Sequence, residues 1–338
     1  MTDVNREIRL VSRPQGFPRP ENFELVETPV PEPGEGEILV RNAFMSVDPY
    51  MRGRMNDVKS YVPPFQIGEA LQGGVVGEVV ASHADGIAVG DWVSHMLGWR
   101  EWAVVEARGA QPIDVAAAPP EAYLGVLGIT GLTAYVGLFD IGRLADGETV
   151  FVSGAAGAVG SIAGQIAKAK GCTVIGSAGS PEKVAWLREI GFDHAFDHKT
   201  ADLRTELAEA APRGIELYFD NVGGDHLQAA LGALRPHGRV VACGMISRYN
   251  DEQPTPGPTN LPLVVGKRLR LQGFIVSDHL DRRPAFLAEL GGWLRDGTVV
   301  ARETVADGIE NAPGAFIGLL RGENLGKMLV KVGPAPSS

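Results

Sequence analysis

Cysteine is nearly absent from this chain: only Cys172 and Cys243 occur in 338 residues, each inside a predicted β-strand. Two such residues build neither a disulfide framework nor a cysteine-rich zinc site, and two buried cytosolic thiols are the expected state. No run of about 18 apolar residues is present, and the opening MTDVNREIRLVSRP lacks an apolar core of signal-peptide length. Neither a membrane span nor a secretory leader is therefore expected. Positive charge is also scarce. With 31 Lys and Arg against 41 Asp and Glu the net charge is −10, which disfavours a nucleic-acid or anionic-membrane surface and leaves room for one local basic groove. A cytoplasmic protein with no nucleic-acid or membrane partner is the expectation. Six of the seven histidines, His83, His95, His194, His226, His237 and His279, show no metal-ligand spacing, and surface or capping roles suffice for them.

What the chain does contain is organised around TVFVSGAAGAVGSIAGQIAKAKGCTVIGSAGSPEK, residues 149–183. A β-branched and aromatic run leads into a Gly/Ala turn, then a helix-period segment, then a second apolar run. Gly154, Gly157 and Gly160 lie three residues apart in the turn, a relative of the dinucleotide-binding fingerprint. Together with Ala156, Ala158 and Val159 they let backbone approach a pyrophosphate at a helix N-terminus. A glycine-rich turn without a ligand is the alternative reading. Sites selective for NAD carry an Asp or Glu about 20 residues further on, at the end of the second strand. Here that place holds Gly176-Ser177-Ala178-Gly179-Ser180, with no carboxylate to repel a 2′-phosphate. Ser177 and Ser180 are candidate donors and Lys183 the counter-charge, so NADPH is favoured over NADH. A solvated lysine at a helix start is the plainer alternative for Lys183.

The length suggests two domains, and 44% hydrophobic residues supply full cores. Short strands broken by Gly and Pro occupy most of the first 96 residues and suggest a small barrel, interrupted at 45–55 by a Pro-initiated turn. Residues 124–138 read as a buried helix linking two lobes. Beyond it strands alternate with helices, as in a parallel doubly wound sheet, with strands expected at 217–221, 238–244 and 269–276 and a helix at 284–295. Segment 298–305 and the closing LGKMLVKV are expected to be strands again. The loop 247–262, with four prolines and Gly257, is long enough to be a lid or interface segment. Expected domains are 1–120 with 299–338, and 121–298.

The segments SVDPYMRGRM, SYVPPFQIGEALQGG, GITGLTAY, SGAAGAVGSIAGQIAKAKGC, AGSPEK, YFDNVGG, GRVVACGMISRYN, RLRLQGFIV and ENLGKMLVKV carry a resemblance over nearly the whole chain. The sequence resembles the zinc-free medium-chain dehydrogenases/reductases of the leukotriene B4 dehydrogenase/prostaglandin reductase and alkenal/one double-bond reductase branch. That resemblance implies an α/β protein with a GroES-like β-barrel substrate domain and a doubly wound parallel Rossmann domain, assembled as a homodimer that pairs Rossmann sheets edge to edge. Zinc-dependent relatives carry a catalytic Cys where this chain has SVDPY, and no metal is expected. Animal members carry Tyr-Lys-Thr beside the 2′-phosphate where this chain has His198-Lys199-Thr200; His198 does the same job more strongly when protonated. Several members place a catalytic tyrosine before the RLRLQGF strand, where this chain has Gly266 or a neighbour.

The implied reaction is hydride transfer from NADPH to the β-carbon of an α,β-unsaturated aldehyde or ketone, giving an enolate that is protonated at the α-carbon. A tyrosine hydroxyl can donate to the developing enolate without first losing its proton. Tyr50 and Tyr249 are the candidates, with Tyr50 and Tyr61 in the substrate loop; half-buried structural rings are the alternative for each. Asn221, Val222 and Gly223 follow a strand end, where doubly wound folds bind ligands, and Asp220 anchors that turn. Gly244, Met245 and Ile246 line the nicotinamide ribose on the same reading, with Gly179 beside the phosphate. Asn324 resembles a residue placed near the nicotinamide, although an Asn before a strand is also an ordinary turn former. Competing functions are an NADPH quinone reductase of the zeta-crystallin type and an NADPH-binding protein without turnover. An alcohol dehydrogenase is weaker, lacking both zinc and a visible general base.

Overall fold

A computed structural model describes residues 4–336. The chain forms two compact units, one running to Leu124 and resuming at Glu303, the other Gly125–Arg302. In chain order the first contributes β1 (Val4–Leu10), β2 (Phe23–Pro29), β3 (Glu37–Ser46), α1 (Tyr50–Arg54), β4 (Val75–Ser82), β5 (Trp92–His95), β6 (Trp102–Glu106) and β7 (Gln111–Pro112). The second holds α2 (Ile129–Val136), β8 (Thr149–Val152), α3 (Ala158–Ala169), β9 (Thr173–Ala178), α4 (Pro181–Glu189), β10 (His194–Asp197) and α5 (Leu203–Ala210). It continues through β11 (Ile215–Asp220), α6 (Gly224–Ala233), β12 (Leu234–Ala242), α7 (Pro262–Gly266), β13 (Arg270–Gly273) and α8 (Arg283–Arg295). The chain then returns to the first unit as β14 (Glu303–Asp307), α9 (Ala312–Arg321) and β15 (Lys327–Lys331).

The first unit is barrel-like. Its main sheet runs β14-β15-β3-β4-β5-β7, with β6 on β3, while β1 and β2 form a separate antiparallel ribbon. β3 is central and buries apolar side chains on both faces. One group packs Ile38 and Val40 on Val79, Val93 and Val105; the other packs Ala43 and Phe44 on Val76, Trp92 and Leu329. The second unit is a six-stranded sheet, β10-β9-β8-β11-β12-β13, with parallel pairing throughout. Strand order reverses between β8 and β11, which is where doubly wound sheets open a crevice at their carboxyl ends. Such strands are covered on both faces and read as apolar runs: Val150, Phe151, Val152, Leu217, Tyr218 and Phe219 are all wholly buried.

Several expectations are corrected by the geometry. The helix expected over 124–138 starts only at Ile129, because Gly125 is drawn into a turn whose carbonyl accepts from Thr130 Oγ1 and the Gly131 amide. The turn at 45–55 contains the single-turn helix α1. Residues 298–302 are not part of a strand: Gln165 clamps both the amide and the carbonyl of Val300, at 2.8 and 3.0 Å, and β14 begins after them. β13 is shorter than expected and Cys243 lies one residue past β12. Cys172 is buried as expected, while Cys243 is only partly covered. His95 and His226 are interior, 5% exposed each, and are not surface or capping residues. His95 receives the Leu97 amide on Nδ1 and meets Asn42 Oδ1 at 3.0 Å, and burial pushes its pKa down to about 3. In loop 247–262, Thr259 and Asn260 are tied to α6 through Gln228. Among the described residues no helix is long and apolar enough to cross a membrane.

One ammonium ties the returning strand to the loop after β3. Lys327 is 4% exposed, and its Nζ lies within 3.3 Å of Ser46 Oγ, the Val47 carbonyl, Asp48 Oδ1 and the Met328 carbonyl. Ser46 Oγ also donates to Asp48, so the ion pair is fully hydrogen-bonded. Asp48 in turn starts α1, its carbonyl accepting from the Met51 amide. Removing one partner strands the other charge in a poor solvent. Lys327→Met is therefore expected to cost about 3 kcal/mol in urea unfolding, and Lys327→Met with Asp48→Asn to recover part of that loss.

Candidate cofactor and active site

The carboxyl edge of the β8–β11 crevice is built on Asp220, the last residue of β11 and wholly buried. Its Oδ1 accepts from Tyr218 OH (2.7 Å), Ser153 Oγ (3.3 Å) and the amides of Val222 (3.0 Å) and Gly223 (2.7 Å). Its backbone carbonyl receives the Cys243 and Gly244 amides at 2.9 and 3.0 Å. One residue thus shapes the turns after both β11 and β12, and Ser153 joins the turn after β8. Burial pushes the Asp220 carboxyl up despite these donors. Burial and the Asp220 charge push the Cys243 thiol to about 12, which keeps it protonated.

Three turns meet here. Asn221 Nδ2 donates to the Ser153 carbonyl at 2.8 Å, and a Cβ on Gly154 would touch Val222 and Asn221 at 3.4 and 3.5 Å. Tyr249 folds back so that its hydroxyl accepts from the Met245 amide at 3.2 Å, the distance at which a Cβ on Gly244 would meet it. The Ile246 amide donates to the Asn221 carbonyl. Gly154, Asn221, Val222, Gly244, Ile246 and Tyr249 are therefore brought together, and the Tyr249 proton remains available to a further acceptor. Gly157 caps α3 and Ala158 opens it; the first amides of a helix have no intrahelical acceptor and carry the positive end of its dipole. Gly154 takes φ +57°, and a Cβ on Gly160 would lie 2.5 Å from the Gly154 carbonyl and 2.8 Å from Ala155 Cα. The turn lies flat on the helix only because Gly160 has no side chain. Ala156 is buried and Val159 half-buried in the same turn.

A second group forms at the ends of β9 and β10. Ser180 Oγ caps α4 by accepting from the Lys183 amide at 3.3 Å, while Ser177 is wholly buried and not presented at the strand end as expected. A Cβ on Gly179 would meet His198 Cε1 and Lys199 Cε, each at 3.2 Å. Burial, then the Lys199 charge, lowers the Lys183 ammonium. Lys199 joins the group as well; its sequence signal is its place in His198-Lys199-Thr200, opposite the Tyr-Lys-Thr of the animal members. His198 Nδ1 and Ser177 Oγ are buried without hydrogen-bond partners. Two ammonium groups, an orphaned imidazole nitrogen and a strand end without a carboxylate fit the 2′-phosphate of NADPH, and the glycine turn fits its pyrophosphate.

In the first unit Tyr50 opens α1 with its hydroxyl buried beside Arg54. Burial, then the Asp48 charge, raises its pKa well above the usual phenol value, and the nearby Arg54 opposes this. Arg54, also missed, is held by the Pro63 carbonyl and by Gln72, with its guanidinium 4.0 Å from the Phe65 ring centroid. Tyr61 is 62% exposed and close enough to raise Tyr50 further. Asn324 is buried, its Nδ2 donating to the Gly326 carbonyl at 2.7 Å, which is the turn-forming alternative for that residue.

Gly160→Ala must push backbone apart, whereas a Cβ on Gly232 in α6 would meet nothing within 4 Å. Gly160→Ala is expected to weaken cofactor binding at least about tenfold and to lower stability by about 1–3 kcal/mol, with Gly232→Ala neutral or slightly stabilising; fluorescence titration and urea unfolding check both.

Residues 6–113 match the family model for the N-terminal domain of oxidoreductases, and residues 158–290 match the model described as zinc-binding dehydrogenase. Among the described residues no group of three or more His, Cys, Asp or Glu is placed to hold a metal ion. The chain is 45% identical over 334 residues to the NADPH-dependent curcumin reductase of Escherichia coli, covering 97% of each. It is 43% identical over 322 residues to prostaglandin reductase 1 of Mus musculus, covering 94% of this chain and 96% of that one. The crystal structure of CurA from Vibrio vulnificus in complex with NADPH superposes with a TM-score of 0.93 at 43% identity, covering 97% of this chain and 99% of that one. With identity of this order across both units, the chain belongs to the zinc-free alkenal/one reductase branch of the medium-chain dehydrogenases/reductases.

Proposed function

We propose that this protein uses NADPH to reduce the carbon–carbon double bond of α,β-unsaturated aldehydes or ketones. The observation that carries the cofactor choice is the end of β9, where His198 and Lys199 lie against Gly179, the Lys199 charge acts on Lys183, and residues 176–180 include no acid. The substrate class rests on the family and on relatives named for curcumin and for prostaglandins. Bound NADPH supplies the hydride; the chain supplies position and hydrogen-bond donors. On this reading Gly154, Ala156, Gly157, Ala158 and Val159 receive the pyrophosphate, while Gly179, Ser180, Lys183, Lys199 and His198 hold the 2′-phosphate. Asn221, Val222, Gly244 and Ile246 border the nicotinamide ribose. Tyr50 is the foremost donor to the enolate oxygen, since its hydroxyl is buried beside Arg54 with its proton uncommitted and its raised pKa keeps it protonated. Tyr249 orders the turn beside the cofactor, and Tyr61 borders the substrate.

A homodimer belongs to the same reading. β13 is the edge of the parallel sheet; its Leu271 is 38% exposed and Val265 in the preceding α7 is 80% exposed, an open edge of the kind that pairs with a second copy. Sedimentation is expected to give a dimer, and Leu271→Lys with Val265→Glu to shift it to monomer.

The activity is tested by following NADPH oxidation with 2-alkenals, cyclic enones and quinones, and identifying products. Enones are expected to give saturated carbonyl compounds, and turnover of quinones alone would favour a quinone reductase. Lys183→Ala should weaken NADPH by about 1.5–3 kcal/mol and leave NADH nearly unchanged. Tyr50→Phe should lower kcat at least about tenfold with NADPH affinity intact, whereas Tyr249→Phe should act mainly on cofactor affinity.

A further inference from the structure

His198 stands in the phosphate group as its only side chain able to change charge near neutral pH. It packs beside Gly179 together with Lys199, and its Nδ1 is buried and unpaired. Three elements face it. α4 brings Lys183, with Glu182 acting on that lysine; the β10 end brings Asp197 and Lys199; α6 brings His226, whose ring lies 4.9 Å away, edge to face. His226 is 5% exposed and stacks on Phe151, and its Nε2 also lacks a partner. The floor under His198 is thus aromatic and neutral, and the charges beside it are mostly positive.

We infer that His198 takes up a proton from solvent when the 2′-phosphate of NADPH arrives, so that the preference for NADPH over NADH strengthens as pH falls toward neutrality. The inference rests on the cofactor reading above and deepens it by naming the residue that makes the preference proton-dependent. The direction follows from the surroundings. In the free protein, burial lowers His198 below the usual imidazole value, the two lysines add to this, and the Ala178 carbonyl and Asp197 oppose it only in part. His226 is pushed to about 3 by burial and does not compete for the proton. A phosphate dianion beside the same ring offsets both lysines and favours imidazolium. Between the free and the bound pKa, each NADPH bound draws in a proton, and affinity rises as pH falls through that window. A site holding phosphate by lysines alone behaves differently: it takes up no proton, and below about pH 6 it loses affinity as the phosphate protonates.

The test uses the full chain and calorimetric titration in two buffers of different ionisation enthalpy, near about pH 7.5, where free phosphate is already ionised. NADPH and 2′,5′-ADP are each expected to bind with uptake of about half to one proton, and NADH with none; NADPH Kd should rise about three- to tenfold from about pH 7 to about pH 8. His198→Tyr and His198→Gln should abolish the uptake while NADPH stays preferred over NADH. Preference for NADPH without uptake, or uptake that survives both substitutions, overturns the inference and leaves the phosphate site standing. Equal binding of NADPH and NADH, unaltered by Lys183→Ala, overturns the phosphate site and the inference with it.

Discussion

Asp220 Oδ1 sits where β8 and β11 diverge and accepts from a tyrosine, a serine and two successive amides, while the same residue's carbonyl takes two more amides from the turn after β12. Burying a carboxylate is costly; here Oδ1 is compensated by these donors while Oδ2 is buried without a partner, in keeping with a carboxyl pushed up by burial. The position of Asn221, the orientation of Val222 and the course of the chain through Gly244 to Tyr249 all follow from that one set of bonds. A cofactor site that must hold its shape before the ligand arrives needs such a fixed frame.

The first unit solves a similar problem with a cation. Lys327 reaches back from β15 to Ser46, Val47 and Asp48, and so fixes the residues that start α1 and carry Tyr50. In both units a buried polar group ties together segments distant in sequence, Ser153 and the turn after β12 to Asp220, and β15 to the loop after β3 through Lys327.

The phosphate group shows another balance. Lys183, Lys199 and His198 converge although they repel one another, and burial makes the repulsion worse. Such an arrangement is unfavourable in the free protein, and an anion placed beside it would offset the repulsion, the kind of strain that marks functional sites.

The parallel sheet, the glycine turn and the missing carboxylate after β9 were legible in the residues, because strand runs, turn glycines and charge are local properties. So was Asp220 as the anchor of its turn. The limits of α2 and β14 were not, since Gly125 and Gln165 act through partners that periodicity does not see. His95 and His226 read as surface residues but are interior, because burial depends on what packs across from them. Lys327 left one sign, a lysine within an apolar run, and its partner Asp48 lies 279 residues away. By itself, then, the sequence determined the fold class, the family and the glycine turn between β8 and α3, all of which rest on residues close together in the chain. Only the tertiary structure decided that Ser177 is buried away from the strand end, that Asn324 serves its own turn, and that Lys199 joins Lys183 beside His198. Those facts depend on which distant strands and turns lie side by side, and a linear pattern carries no information on that distance.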